Sequence, residues 1–245
     1  MLIIANWKMH KTMAETQEHL ARLKPLVFRA ESSVWLAVPY TDLLLASKEV
    51  EGSQIRIGAQ NMSELLAGAL TGEVSPLMIQ ETGASFVLIG HSERRRFFNE
   101  DNRTINRKVK LAVKLSLAPV LCIGETLAEK EAGKTEQILT EQLSQGLEGL
   151  QPEEAHSLVI AYEPVWAIGT KQPCPPEVVE KIHEFCQDYV AHQLGLGKVP
   201  TLYGGSVSAD NCPAFLQQSR VDGLLVGGAS LDVNTFAEIV WKAQG

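Results

Sequence analysis

The sequence predicts an α/β fold, a single-domain (β/α)8 barrel in which eight parallel strands close on themselves inside a ring of helices. Three observations predict it. Short β-rich runs alternate with helix-spaced segments along the whole chain. Most of those runs are apolar at every position, which requires cover on both faces. Eight such units fit within 245 residues, with no linker, low-complexity tract or composition shift to divide them, so residues 1–245 are read as one barrel domain. A doubly wound open sheet is the competing architecture. It would place a glycine-rich phosphate fingerprint after its first strand, where Asn6-Trp7-Lys8-Met9 stands instead.

In chain order the strands are predicted over residues 2–7, 34–39, 56–60, 86–90, 118–124, 158–163, 200–204 and 223–227. Between them apolar positions recur at helical spacing, as with Ile105, Val109, Ala112, Val113 and Leu117, or Val178, Val179, Ile182, Phe185, Cys186 and Tyr189. In the sixth run Leu158, Val159 and Ile160 read as a buried strand. Pro164 ends its ladder because proline has no N–H to donate. The following residues, 165–176, mix bulky Trp166 and Ile168 with Gly169 and three prolines, the composition of a loop that closes over a site.

In such a barrel chemistry collects at the C-terminal strand ends, where the βα loops meet in one cup. The first strand ends in Asn6 and Lys8, the fourth in His91, Ser92 and Glu93, and the sixth in Glu163. The seventh ends in Gly204, Gly205 and Ser206, and the eighth in Gly227 and Gly228. A carboxylate, an imidazole and an ammonium around one pocket suit removal of a proton beside a carbonyl and stabilisation of the resulting enediolate oxygen. Glu163 is the expected base. His91 precedes Ser92, read as the N-cap of a short helix SERRRF, whose positive end disfavours an imidazolium and leaves a neutral His91 to donate a proton. Lys8 supplies fixed positive charge, which is worth more in a water-poor cup. Gly205, Gly227 and Gly228 let backbone N–H groups approach an anion, and Ser206 adds a hydroxyl, where phosphate sites in barrels often lie.

With 45% apolar and 21% charged residues the chain can bury a large core without disulfide or metal. Its net charge of −7 argues against nucleic acid or a membrane surface as partner and leaves small anions, bound through local fields. Cys122, Cys174, Cys186 and Cys212 form no CxxC pair, and no His spacing resembles a zinc site, so a reducing compartment and no bound metal are expected. The N-terminal apolar run is too short for a secretory signal, and no segment reaches the roughly 20 apolar residues of a membrane span. A cytoplasmic location is expected.

Longer motifs stand in order along the chain: ANWKMH at 5–10, AQN at 59–61, TGEVSP at 71–76, GHSERR at 90–95, LCIGET at 121–126, AYEPVWAIGT at 161–170, YGGSV at 203–207 and VGGASL at 226–231. On these the chain closely resembles the triosephosphate isomerase family over essentially its whole length. The resemblance implies a TIM barrel that interconverts dihydroxyacetone phosphate and D-glyceraldehyde 3-phosphate through an enediol(ate), in glycolysis and gluconeogenesis, with no metal or organic cofactor. It implies that Glu163 shuttles the proton between adjacent carbons and that His91 polarises the carbonyl and moves protons between oxygens. Asn6 and Lys8 would contact the substrate and assist electrostatically, Glu93 would support the site near Lys8, and main-chain groups of Gly169, Ser206, Gly227 and Gly228 would hold the phosphate. The lid would comprise Pro164, Val165, Trp166, Ala167, Ile168, Gly169, Thr170, Lys171, Gln172, Pro173 and Cys174. Ile168 and Leu225 resemble the apolar pair that packs around the base on closure; desolvation by such a pair makes a carboxylate a better proton acceptor. A homodimer is also implied, with Thr71 of the third loop inserted beside a neighbouring subunit's lysine.

The chain departs from the family pattern in four places. After Gly169-Thr170 the family usually continues Gly-Lys and two small residues, whereas Lys171, Gln172, Pro173 and Cys174 follow here. Pro173 fixes its own φ and Pro175 restricts Cys174 to extended conformations, so the lid's second hinge is expected to explore fewer states, changing closure kinetics and not the chemical step. Leu70 stands where an aromatic is common and His10 where Asn is usual; neither is expected to touch the chemistry directly. Trp35 in the second strand has no functional reading. A related phosphosugar isomerase or lyase, or a non-catalytic metabolite-binding scaffold, would keep the same barrel. The joint presence of Lys8, His91 and Glu163 weighs against both.

Overall fold

The computed structural model describes residues 1–170 and 173–244. Eight strands, β1 Leu2–Asn6, β2 Ser33–Val38, β3 Arg56–Ala59, β4 Phe86–Ile89, β5 Ala118–Ile123, β6 Val159–Tyr162, β7 Thr201–Tyr203 and β8 Gly223–Val226, follow one another in sequence order around a closed barrel. Every pairing is parallel, and β1 meets β8 with Leu2 opposite Gly223 and Ala5 opposite Val226, which leaves no free edge. Each predicted strand is present, its bounds shifted by no more than a residue or so.

Parallel neighbours need crossovers, and helices supply them. These are α1 Met13–Val27, α2 Leu43–Glu49, α3 Pro76–Glu81, α4 Ser92–Phe98, α5 Asn102–Lys114, α6 Leu127–Glu131, α7 Thr135–Gly146, α8 Pro176–Asp188, α9 Cys212–Leu216 and α10 Val233–Lys242. Local chemistry marks several starts: Thr12 with Glu15 and Thr126 with Glu129 form capping boxes, and Ser75, Asp101 and Asp232 accept backbone N–H groups as N-caps. On α5 the helically spaced Ile105, Val109 and Ala112 are fully buried, as are Val179 and Cys186 on α8.

The uniformly apolar strands are explained by two cores. Ile4, Trp35, Ala37, Phe86, Leu88, Val120, Val159, Ala161, Leu202 and Leu225 fill the barrel interior. Their strand neighbours, such as Ile3, Leu36, Val87, Leu121 and Ile160, face the helices. Trp35, which has no functional reading from sequence, is a filler. Its ring lies 4.8 Å from that of Phe86, with the Arg56 guanidinium 5.4 Å from its centroid. Phe86 in turn occupies the space that a side chain on Gly58 would need. The inward alternation of Ile4 and of Val159 and Ala161 runs on to Asn6 at the end of β1 and to Glu163 just past β6, so both side chains enter the mouth of the barrel. Among the described residues no helix is long and apolar enough to cross a membrane, and all four cysteines are free and buried.

Candidate active site

At the C-terminal mouth a cavity of about 390 Å³ is lined by Asn6, Lys8, His91, Glu163, Ile168, Gly169, Thr170, Ser206, Leu225, Gly227 and Gly228. The residues singled out at five strand ends thus meet in one cup. Glu93 lines an adjoining cleft and reaches the cup through Lys8. Thr71 lies apart from it on an exposed loop. His10 stands at the exposed edge of the cup's lining. Next to it, Lys11 Nζ donates to the Leu231 carbonyl at 3.1 Å.

Glu163 is only 1% exposed. Its backbone N–H donates to the Ile123 carbonyl at 2.7 Å, so β5 continues to hold it after β6 ends. Two glycines make room for it. A Cβ on Gly124 would run into the Glu163 carbonyl, and one on Gly204 would lie 2.9 Å from its Cγ. Gln142 of α7 clamps Gly124 from both sides, accepting its N–H at 2.8 Å and donating to its carbonyl at 3.1 Å. At the carboxylate, Oε2 accepts the Ser92 N–H at 3.0 Å and Oε1 lies 3.2 Å from His91 Nε2. Cys122 sits below, where burial, reinforced by the carboxylate of Glu163, pushes its thiol well up. It stays neutral.

His91, and not Ser92, is the N-cap of α4, because the extended backbone of His91 points its own ring at the first turn. Its Nδ1 accepts the Glu93 N–H at 3.2 Å. A backbone N–H can only donate, so Nδ1 carries the lone pair and the ring proton sits on Nε2, facing Glu163. The cap therefore selects a neutral imidazole of one tautomer. The sequence reading reached the neutral ring by way of the helix end alone.

Lys8 adopts φ 53°, the left-handed region that non-glycine residues seldom occupy. Two side chains hold it there: Asn6 Oδ1 accepts the Lys8 N–H at 3.0 Å, and Gln60 Nε2 donates to its carbonyl at 2.9 Å. The ammonium is 2.7 Å from Glu93 Oε1. Burial pushes the Glu93 carboxyl up, but the hydrogen bond from Lys8 and the charge of its ammonium outweigh it and hold the group below its ordinary range. A Cβ on Gly227 would lie 3.6 Å from Lys8 Cε, so the lysine stem runs along the glycine pair. Beyond it a single-turn helix, Gly228–Ser230, opens with no side chain over Gly228.

Of the predicted loop, Pro164 leads into a helical turn Val165–Ala167. The Val165 N–H donates to the Glu125 carbonyl at 3.0 Å, and Trp166 Nε1–H to Glu125 Oε1 at 2.8 Å. Farther on, Gly169 takes φ 68° and the Thr170 carbonyl accepts the Ser206 hydroxyl at 2.9 Å. Lys171 and Gln172 lie outside the described residues. Pro173 is exposed, while Cys174 is fully buried, its N–H donating to Tyr203 Oη at 3.2 Å and its thiol pushed up to about 12 by burial. Sequence reasoning missed Glu125, Tyr203, Gly124, Gln142 and Gln60. Four of these stand inside quoted motifs, which marked the segments without revealing what each residue holds; Gln142, in mid-helix, had no local signal.

The model of one family, triosephosphate isomerase, matches residues 1–243. Among curated relatives the chain is 46% identical to a triosephosphate isomerase of Protochlamydia amoebophila, over 98% of this chain and 92% of the relative. It is 45% identical to that of Dictyoglomus turgidum over 98% of both chains, and 44% identical to that of Synechocystis over 98% of this chain and 97% of the relative. With the barrel and its cup already described, the chain belongs to the triosephosphate isomerase family.

Proposed function

We propose that this chain interconverts dihydroxyacetone phosphate and D-glyceraldehyde 3-phosphate, with Glu163 as the base that moves the proton. One observation carries the assignment: a buried carboxylate oxygen lies 3.2 Å from the protonated nitrogen of a neutral imidazole, in a cup that a lysine shares. Glu163 leaves the Ser92 N–H and takes a proton from the carbon beside the carbonyl. The electron pair left behind forms the enediolate, whose oxygen is met by His91 Nε2–H and by the Lys8 charge. His91 passes a proton between the two oxygens, and Glu163 returns its proton to the neighbouring carbon, so atoms and charge balance. Asn6 holds the backbone of Lys8, and Glu93 positions its ammonium. The phosphate lies at the main chain of Gly169, Ser206, Gly227 and Gly228, and the loop from Pro164 to Thr170 closes over it, with Ile168 and Leu225 excluding water from the base.

The active form is a homodimer. Residues 65–73 are exposed without interruption, and Leu65, Leu66 and Leu70 each leave nearly half their surface in water. A cleft of about 200 Å³ opens beside Lys8, lined by Met9, Tyr40, Asn61 and Phe98, and suits Thr71 from a second copy. Free, buried cysteines accord with a cytoplasmic location. Purified protein should convert glyceraldehyde 3-phosphate in a coupled assay. Glu163→Asp should lower kcat by roughly 10²- to 10⁴-fold with phosphate-analogue binding retained. A folded wild-type protein that leaves the substrate untouched sinks the assignment. Full activity in an isolated monomer would remove the dimer from it.

A further inference from the structure

We propose that Lys130 is a positioning residue for the reaction, its ammonium latching the root of the lid to the loop after β5 by way of Trp166. Lys130 lies on α6, whose start is fixed by the capping box of Thr126 and Glu129. Its Nζ stands 3.2 Å from the centroid of the Trp166 ring. The edge of that ring is held from the same loop, Nε1–H donating to Glu125 Oε1 at 2.8 Å. The indole is therefore gripped by a cation on its face and an anion on its edge, a pairing that matches the quadrupole of the ring and the dipole of its N–H. Trp166 follows Glu163 by three residues and precedes Ile168 of the cup by two. A swing of the lid root must break both contacts together.

The two charges also act on each other. Burial pushes the Glu125 carboxyl up, opposed by hydrogen bonds from Trp166 and Tyr162 and by the charge of Lys130. The other titratable groups near Glu125 are Tyr162, Cys174 and Cys186. All stay neutral near pH 7 because burial pushes each of them up. The Lys130 charge thus acts with those hydrogen bonds to favour the ionised carboxylate that accepts the indole N–H. Lys130 itself is exposed and lines no part of the cup, so its side chain touches none of the reacting groups.

The test uses the full chain labelled with 5-fluorotryptophan, whose four tryptophans give four 19F signals, that of Trp166 assigned by Trp166→Phe. Lys130→Met keeps the apolar stem and removes the charge. It should weaken docking of the lid root by roughly two- to fivefold, read as a displaced or broadened Trp166 signal. It should also raise the pH at which that signal titrates. Lys130→Arg should restore both, and kcat should follow the same order. A Trp166 signal and titration midpoint unchanged in Lys130→Met overturn the latch. Only the kinetic arm rests on the isomerase reading. An inactive wild type would sink that reading and leave the 19F result standing.

Discussion

Glu163 is placed less by its own strand than by what neighbouring strands leave out. The chain brings its carbonyl against Gly124 so closely that any side chain there must push the carboxylate away from His91. Gly124→Ala should therefore cost more than a typical surface change. Displacement of a reacting group by about 1 Å can cost on the order of a hundredfold in rate, and kcat/KM should fall on that scale, with the Ser92 amide shift reporting loss of its carboxylate partner. Unaltered turnover would show that β5 does not set the position of the base. At Lys8 the strained backbone is held by Asn6 and Gln60, one carbonyl oxygen and one amide group on either side of the residue. Glu93 adds charge complementarity. Because its carboxyl is held below its ordinary value, the Lys8 pair persists through neutral pH and is lost as pH falls through that depressed value.

At the scale of elements the proposed lid has two differently built roots. The first is tied to Glu125 through the Val165 N–H and the Trp166 indole. The second holds Pro173 and Cys174, and it is anchored. Cys174 is buried with its N–H on Tyr203, while Pro175 confines it to extended conformations. Replacing Gln172-Pro173-Cys174 by Lys-Thr-Ala should speed lid exchange, measured by relaxation dispersion, while the primary isotope effect on the proton transfer reports an unaltered chemical step. Equal exchange in both proteins would remove the hinge argument.

For the whole molecule, stability rests on the two cores and on buried groups that must stay neutral. His183 is fully buried on α8, its Nδ1–H donating to the Arg220 carbonyl at 3.1 Å and its ring edge-on to Tyr162, and burial lowers its pKa to about 4. The unfolded chain takes up that proton near the ordinary value of about 6.5. Between these values the unfolded state binds more protons, so stability is complete above about pH 6.5 and is lost as pH falls toward 4, by ~3 kcal/mol from this residue. Chemical denaturation across that range should show the slope, and His183→Gln should flatten it. In the barrel interior, Gly58→Ala should destabilise by about 1–3 kcal/mol through overpacking against Phe86. Phe86→Leu should recover part of that loss in the double variant, where simple additivity would refute direct contact.

The barrel itself was legible because its signals are local. Apolar strands at regular intervals, helical spacing between them and polar residues at strand ends depend on short windows of sequence, and each of Glu163, His91 and Lys8 stands in a local motif at such an end. The partners of those residues were not legible. That Gly124 faces the Glu163 carbonyl, that Gln142 clamps Gly124, that Trp35 fills a space beside Phe86 and that Lys130 lies on Trp166 all depend on strand register and on the angle at which each loop leaves the barrel. Even the cap of α4 passed from Ser92 to His91 through one residue's backbone angles. Periodicity and motif chemistry determined which groups stand at the mouth. Closure of the sheet decided which of them touch, because contacts between residues tens of positions apart exist only once eight strands share one register.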